Sequence, residues 1–238
     1  TTPFITILAG WPAITVSIDM SRVYVFTPFC AATTLAMKSS MSLPAGAAAP
    51  VDPPRLVYFG TLSPWQGVDV AIRAAAMLGD GVRLTVVGSG NGRQREALVA
   101  LAAKLGAAGR VEILPAVDRA ELGRLLAESF AVLAPLAVND RNVRQGCCPL
   151  KVLEGMAAGV PVIASDLPVV RELGEHGRHL LTVKPGSVDQ IAGAVGRLRA
   201  DAELWRRLAD EGLAHVEANF TWERASNSLI QVYAELVG

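Results

Sequence analysis

From residue 55 onward the sequence alternates between short apolar runs and longer amphipathic stretches, and this alternation constrains the fold more than any other feature. The apolar runs are rich in β-branched and aromatic residues, which is typical of strands buried on both faces of a parallel sheet. The predicted strands are residues 56–59, 83–87, 110–114, 130–134, 161–164 and 180–183. Because strands take turns with helices, the pattern predicts an α/β fold: a Rossmann-like parallel sheet with helices on both faces and right-handed crossovers.

The amphipathic stretches predict the helices that cover this sheet. Between the strands they comprise residues 67–78, 92–105, 119–128 and 149–158, with a long polar loop over residues 138–148. After the last strand the pattern is helical, over residues 188–199, 203–214 and 221–237. These three segments predict a C-terminal helical tail that packs against the sheet or against a neighbour.

Residues 1–50 have a different character. An apolar run covers residues 4–18, but Pro12 interrupts it, and it is short for a membrane span. Residues 23–26 have the pattern of a buried strand, and residues 41–54 are rich in Ala, Gly and Pro, as linkers are. We expect a truncated or atypical N-terminal segment and linker over residues 1–50, with a membrane anchor as the alternative, followed by one α/β domain over residues 51–238.

The composition argues against several classes of protein. Charged residues make up 18% and apolar residues 51% of the chain, which is enough to bury a core and is unlike a disordered chain. The net charge is zero and aromatic residues are 5%, so neither a basic field nor stacking platforms for nucleic acid are expected. Three cysteines, two of them adjacent, make a poor disulfide framework and favour a reducing cytosolic setting. No histidine lies at metal-ligand spacing, so no metal is expected.

Three segments place helix N-termini at the carboxyl ends of predicted strands, where open α/β sheets bind ligands. Unpaired amides and the positive end of the helix dipole suit a diphosphate there. The first segment runs from Gly60 to Gly67, and the alternative for it is an ordinary loop. The second, residues 88–93, has Arg93 where the G-x-G-x-x-G pattern needs glycine, so a full nicotinamide-dinucleotide fingerprint is absent.

The third segment, residues 145–166, has the most specific pattern of the three. Pro149 suits a first helical turn, and Gly159 is placed as a C-terminal cap. Lys151 is close enough to the helix start to reach a phosphate, and Glu154 is placed to accept hydrogen bonds from sugar hydroxyls. The alternative is that Lys151 and Glu154 are a solvent-facing pair on the helix, worth about 0.3 kcal/mol.

Four blocks of sequence occur in one order along the chain. They are the glycine-bounded loop over residues 59–69, the Val-Val-Gly-x-Gly turn over residues 86–90, the Leu-Glu-x-Met-Ala-x-Gly-x-Pro-Val block over residues 153–162, and Phe-Thr-Trp at residues 220–222. Together they resemble the C-terminal, donor-binding domain of glycosyltransferases of the GT-B fold, specifically the retaining family 4. The resemblance extends over residues 55–236, and the block at residues 153–162 is its most specific part.

The resemblance implies that a nucleotide-diphospho-sugar lies across the strand ends as the donor substrate, with no cofactor and no metal. Glu154 matches the glutamate that holds the donor ribose, and Glu154 and Lys151 are the candidate catalytic residues. Residues 114–117 match the stretch that meets the base. The implied donor-binding residues are Gly60, Thr61, Gln66, Gly88, Ser89, Pro115, Arg144, Gly146, Cys147, Cys148, Pro149 and Leu150.

The sequence departs from the family pattern at three positions. Family members have an arginine and a lysine, both gripping the diphosphate, where this chain has Thr61 and Gln66, and a first glutamate where it has Gly146. Two explanations stay open. In one, Lys151 supplies the positive charge together with an arginine of the polar loop, Arg141 or Arg144. In the other, the domain has lost donor binding.

The function implied by the resemblance is transfer of a hexosyl group with retention, by an enzyme of which this chain carries mainly the donor-binding half. The acceptor is an unidentified glycan, lipid or small molecule, and binding it is expected to need a missing N-terminal domain or a partner chain. The alternatives are a non-catalytic nucleotide-sugar-binding module and a sugar-nucleotide epimerase of the same fold. The expected location is the cytoplasm, either free or at the cytoplasmic face of a membrane.

Overall fold

A computed structural model describes residues 4–7, 14–19, 22–24, 53–144 and 147–237. The first three ranges are the strands β1 (Phe4–Ile7), β2 (Ile14–Asp19) and β3 (Arg22–Tyr24). They pair antiparallel in the order β1-β2-β3. The apolar run at residues 4–18 therefore contributes two strands.

The main sheet has six strands, all parallel, in the order β6-β5-β4-β7-β8-β9. The strands are β4 (Arg55–Phe59), β5 (Arg83–Val87), β6 (Val111–Leu114), β7 (Ala131–Ala134), β8 (Val162–Ser165) and β9 (Leu181–Val183). The strand order reverses beside β4, since β5 lies on one side of it and β7 on the other. The predicted parallel α/β fold is confirmed, and the reversal beside β4 is where ligands bind in sheets of this kind.

Helices follow the strands as the amphipathic pattern predicts. They are α1 (Val68–Leu78), α2 (Gly92–Lys104), α3 (Arg119–Ala127), α4 (Asp140–Val143), α5 (Leu150–Ala157), α6 (Pro168–Arg171), α7 (Val188–Ala200), α8 (Ala202–Asn219) and α9 (Trp222–Val237). Helix α1 packs against α7, and α5 packs against α8. None of the helices in the described part of the chain combines the length and apolarity that crossing a bilayer requires.

The two faces of the sheet bury two separate cores, because successive side chains of a strand point to opposite faces. In β4, Leu56 and Tyr58 belong to the core under α1 and α7, whereas Val57 and Phe59 belong to the core under α5. All four side chains are buried. The chain is thus anchored on both faces immediately before Gly60, where β4 ends.

Three segments differ from the prediction. The predicted polar loop contains the short helix α4, which begins because the Asn139 side chain accepts a hydrogen bond from the Asn142 amide at 2.8 Å. Helix α6 was not predicted, since four residues show no periodicity. Helix α8 continues to Asn219, five residues past the predicted end, because Val216 extends its buried face.

Candidate functional site

The first two glycine segments meet at the carboxyl ends of β4 and β5. The Gly60 amide donates to the Val87 carbonyl at 3.0 Å, and Gly60 has a φ of +131°, which side-chain-bearing residues rarely adopt. A Cβ atom added to Gly88 would lie 1.7 Å from the Gly60 carbonyl oxygen. The two backbones therefore touch, and only glycine at position 88 permits the contact.

Further hydrogen bonds hold these two loops together. The Leu62 amide donates to the Ser89 carbonyl at 2.8 Å, and the Tyr58 hydroxyl donates to the Thr61 carbonyl at 2.5 Å. The Thr61 and Ser89 side chains are exposed. The loops after β4 and β5 thus form one surface at the sheet edge.

The loop after β6 joins the same edge. The Gly88 amide donates to the Leu114 carbonyl at 3.2 Å, and the next residue, Pro115, is exposed. The Arg95 guanidinium donates to the carbonyls of Gly88 at 3.1 Å and Ile113 at 3.2 Å. Sequence reasoning missed Arg95; its place in the helix that opens after the glycine turn was the only available signal.

Helix α5 directs Lys151 and Glu154 toward the protein and not toward solvent. Pro149 is the N-cap residue, one position before the expected first turn, and Leu150 is half-buried. The exposed fraction is 7% for Lys151 and 9% for Glu154. The alternative of a solvent-facing ion pair is therefore wrong.

The Lys151 ammonium group lies against residues of two other segments. It donates to Gln66 Oε1 at 2.6 Å and lies 4.1 Å from the centre of the Tyr58 ring. Burial lowers the pKa of Lys151 to about 7, and the nearby Glu154 and Cys147 act in the opposite direction. A cation is thus placed where β4 ends, beside two of the positions at which the sequence departs from the family pattern.

The Glu154 side chain is largely buried. Within residues 53–144 and 147–237, no side chain or amide donates a hydrogen bond to it. Burial raises the pKa of Glu154, and Arg119 and then Lys151 partly offset this effect. A ligand that donates hydrogen bonds to this carboxylate would compensate for the solvent that it loses on burial.

The polar loop before α5 is less closely tied to these groups. Arg144 is exposed over 82% of its side chain and pairs with Asp140 of α4 at 3.7 Å, so it does not join the buried groups around Lys151. The Cys147 thiol donates to Asn142 Oδ1 at 3.2 Å and also contacts Arg141. Burial raises the pKa of this thiol.

Two further residues were predicted to bind the donor, Gly146 and Cys148. Gly146 lies outside the described residues. Cys148 is exposed and disulfide-bonded, so the expectation that the cysteines form no disulfide is wrong. Adjacency strains a bond between two cysteines but does not prevent either from pairing elsewhere.

A family model described as glycosyl transferases group 1 matches residues 53–201, which is more than half of the chain. The chain belongs to this glycosyltransferase family. Its six-stranded parallel sheet is the fold of the C-terminal half of a GT-B glycosyltransferase, as the four sequence blocks indicated.

Curated relatives of the chain support this family assignment. The chain is 31% identical over 189 residues to the D-inositol 3-phosphate glycosyltransferase of Nocardia farcinica, covering 76% of this chain and 40% of that protein. The C-terminal domain of a group 1 glycosyltransferase from Francisella tularensis superposes with a TM-score of 0.61 at 20% identity, covering 71% of this chain and 87% of that domain. The Anabaena protein HepE, solved in complex with UDP-glucose, superposes with a TM-score of 0.69 at 20% identity, covering 88% of this chain and 53% of that one.

The chain spans about two fifths of the length of the curated relatives it matches, 40% for the Nocardia enzyme and 38% for one from Mycobacterium marinum. Within the described ranges, no group of three or more His, Cys, Asp or Glu residues is arranged to hold a metal ion. The expectation that the reaction needs none stays a prediction.

Proposed function

We propose that this chain is the donor-binding half of a retaining hexosyltransferase of family 4, which takes its sugar from a nucleotide-diphospho-sugar. The observation that carries the proposal is the pair of buried side chains at the strand ends. Lys151 has N–H donors left for an anion, and none of the described residues donates a hydrogen bond to the Glu154 carboxylate. The two groups lie one helical turn apart, which matches a ligand that carries an anionic part and hydroxyl groups.

The diphosphate is assigned to the region of Lys151 and Gly60. The Lys151 Nζ atom would lie 3.4 Å from a Cβ atom at Gly60, so the ammonium group faces the open backbone of that loop. Backbone at Gly60, Thr61, Gly88 and Ser89 allows close approach of phosphate oxygens because two of these residues have no side chain. A charge-assisted hydrogen bond to a phosphate is about twice as strong as a neutral one.

The sugar and nucleoside portions are assigned to the flanking segments. Glu154 accepts hydrogen bonds from the ribose hydroxyls, and the backbone near Pro115 meets the base. Cys147 and Cys148 precede helix α5, and their amides are assigned to the sugar and its adjacent phosphate. HepE, whose structure holds UDP-glucose, has the same fold, which supports a nucleotide-sugar in this place.

The chemical role of this half is to stabilise the leaving diphosphate. Transfer with retention passes through an oxocarbenium-like transition state, and negative charge develops on the departing diphosphate. Lys151 offsets that charge in a site from which the protein excludes most water. The acceptor is bound by a second domain or chain, in keeping with the share of its relatives that this chain spans.

Thr61 and Gln66, which stand where family members have cations, favour one second candidate, a non-catalytic nucleotide-sugar-binding module. The candidates differ in turnover and not in binding. Transfer or hydrolysis of a bound nucleotide-sugar, measured with an added acceptor-domain partner, separates them.

Calorimetric titration with UDP-, GDP- and ADP-sugars tests the proposal. We expect one of the three to bind, with affinity reduced about 10- to 100-fold by Lys151→Ala or Glu154→Ala, since a hydrogen bond to a charged group contributes about 1.5–3 kcal/mol. Lys104→Ala, which removes an exposed lysine at the far end of α2, is the matched control and should bind as the unmodified chain does. Absence of binding by all three sugars contradicts the proposal, and binding unaffected by either substitution contradicts the site.

A further inference from the structure

The Lys151 ammonium group contacts side chains from two segments that are distant from it in sequence. Tyr58 comes from the middle of the sheet, and Gln66 comes from the 3-10 turn Pro64–Gln66 after β4. Both contacts are to neutral groups, an amide oxygen and an aromatic ring. A long lysine side chain is ordinarily mobile, so contacts on two sides restrict where its charge lies.

Gln66 is held in place by its own backbone. The backbone amide of Gln66 donates to the Ser63 carbonyl at 2.9 Å, and the backbone amide of the following Gly67 donates to the Pro64 carbonyl at 3.1 Å. A Cβ atom at Gly67 would lie 1.8 Å from the Pro135 carbonyl oxygen, so this turn is pressed against the chain that leaves β7. The amide oxygen that meets Lys151 therefore projects from a fixed backbone.

Tyr58 connects the lysine to the loop above it. Its ring is fully buried, its face lies under the ammonium group, and its hydroxyl donates to the Thr61 carbonyl. Burial raises the pKa of this phenol well above its usual range, so the ring stays neutral. One residue thus supports both the cation and the backbone over which the cation lies.

We infer that Gln66 and Tyr58 are positioning residues that hold the Lys151 ammonium group against Gly60 for a diphosphate oxygen, an inference that rests on the proposed function. Neutral partners suit this task because a carboxylate in place of Gln66 would compete with the diphosphate for the same cation. Lys151 has three N–H donors, of which Gln66 takes one. In this arrangement Gln66, which replaces a family cation, holds a cation that comes from helix α5.

A proton linkage follows from the same contacts. The titratable groups that act on Lys151 are Glu154 on its own helix and Cys147 in the preceding loop, and Tyr58 faces it from the sheet. With a pKa lowered to about 7, the lysine is mostly neutral at pH 8 in the free protein. A bound diphosphate favours the charged form, so binding at pH 8 takes up close to one proton from the buffer.

The experiment is calorimetric titration of the full chain with UDP, GDP and ADP at pH 6 and pH 8, in buffers of different ionisation enthalpy. At pH 8 we expect proton uptake by the unmodified chain. Lys151→Arg should still bind but take up no proton, because arginine stays charged. Lys104→Ala serves as the control and should take up the same proton as the unmodified chain.

The positioning residues are tested by paired variants. Gln66→Leu should weaken binding about tenfold at both pH values. Tyr58→Phe keeps the ring and should stay within about threefold of the unmodified chain, whereas Tyr58→Leu should weaken binding about tenfold. Circular dichroism and thermal unfolding confirm that each variant is folded, and Tyr58→Phe is decisive if Tyr58→Leu does not fold.

The outcomes separate this inference from the proposed function. If the unmodified chain binds none of the three nucleotides, the proposed function is overturned and this inference with it. If it binds one of them, but Gln66→Leu keeps full affinity or Tyr58→Phe loses binding as Tyr58→Leu does, the positioning role is overturned alone. Binding at pH 8 without proton uptake overturns the proton linkage and leaves the positioning role to the paired variants.

Discussion

Two groups of bases, the buried Lys151 and the pair of buried His179 and half-buried His215, lie in different parts of this molecule, and burial lowers the pKa values in both. Lys151 lies at the carboxyl ends of the strands and contacts a fixed glutamine and a tyrosine ring. The two histidine rings stack at 3.9 Å, almost parallel at 11°, between helix α8 and the segment before β9.

The difference lies in what surrounds each group. The two histidine rings pack against each other. His179 Nδ1 accepts a hydrogen bond from the Glu175 amide at 3.0 Å, and His215 also packs against Phe220. Lys151 instead has N–H donors that no described residue besides Gln66 uses. They lie beside the Gly60 backbone and near the Glu154 carboxylate, to which none of the described residues donates. A lowered pKa alone therefore does not identify a ligand site; unused hydrogen-bonding capacity beside open backbone does.

The largest expected effect is on the pH dependence of stability. For a base whose pKa is lower in the folded protein, the unfolded chain binds the extra proton, so the free energy of unfolding rises with pH between the two values. For Lys151 this window runs from about 7 to the ordinary value of 10.5, and for the histidines it ends at 6.5. We expect a rise of about 3 kcal/mol between about pH 7.5 and 9.5, since one pKa unit corresponds to about 1.4 kcal/mol.

Urea unfolding at several pH values measures this effect and assigns it. Lys151→Met should remove the alkaline rise and keep the acid one. His215→Phe, which retains an aromatic ring, should weaken the acid rise and keep the alkaline one. An unchanged alkaline rise in Lys151→Met would show that another group is responsible.

The second prediction uses ligand-induced stabilisation to distinguish the two regions. A nucleoside diphosphate at about 100 times its Kd should raise the free energy of unfolding by about 2.7 kcal/mol in the unmodified chain. His215→Phe should gain as much, because the histidines do not contact the proposed ligand. Lys151→Ala, at the same ligand concentration, should gain less than about 1.4 kcal/mol, as a tenfold weaker site does. Equal gains in the free energy of unfolding for all three proteins would show that neither Lys151 nor the histidine pair belongs to the ligand site.

The third prediction concerns one glycine in each region, Gly88 and Gly212, to which the backbone of another segment lies close. Gly88→Ala should lower the free energy of unfolding by about 2 kcal/mol, because the added Cβ would meet the Gly60 carbonyl at 1.7 Å and neither backbone can move easily. Gly212→Ala meets the His179 carbonyl at 2.9 Å, and the gain in helix propensity offsets that contact, so we expect a change within about 1 kcal/mol. Gly193→Ala, in a helix with open space around it, should be stabilising and is the control.

The smallest expected effect concerns Arg144, an exposed cation, in contrast to the buried Lys151. Arg144→Ala should change the free energy of unfolding by less than about 0.5 kcal/mol, since its pair with Asp140 is exposed. If Arg144 adds charge to the donor site, the affinity for a nucleoside diphosphate should fall by about threefold at low salt, and the difference should vanish near 1 M salt. A larger loss that persists in salt would mean that the arginine binds the ligand directly.

Much of the fold could be predicted from the sequence because the sheet is buried on both faces. The runs at residues 83–87 and 56–59 are mostly apolar and each is followed by a glycine, so both strands were predicted to within one residue. Helix α4 was missed because it depends on the Asn139 cap and not on periodicity. The match of the group 1 family model to residues 53–201 agrees with the blocks from which the family was predicted.

The candidate site was less accessible to sequence reasoning. Lys151 and Glu154 were identified, but their three-residue spacing fits an exposed pair as well as a buried one. Gln66 was a candidate because a family cation is missing there, and nothing in the sequence connects it with Lys151, which lies 85 positions away. Arg95, which holds the loops after β5 and β6, was not identified at all.

The sequence by itself determined the strands of the main sheet, most of the helices, the parallel class of the sheet and the family, because apolar periodicity and glycine positions are local properties of a chain. Only the tertiary structure decided that Lys151 is buried on the Tyr58 ring, that Gln66 accepts from it, and that Glu154 has no donor among the described residues. These are contacts between segments that crossover connections bring to one edge of the sheet. Their geometry depends on strand order, which the local pattern does not contain.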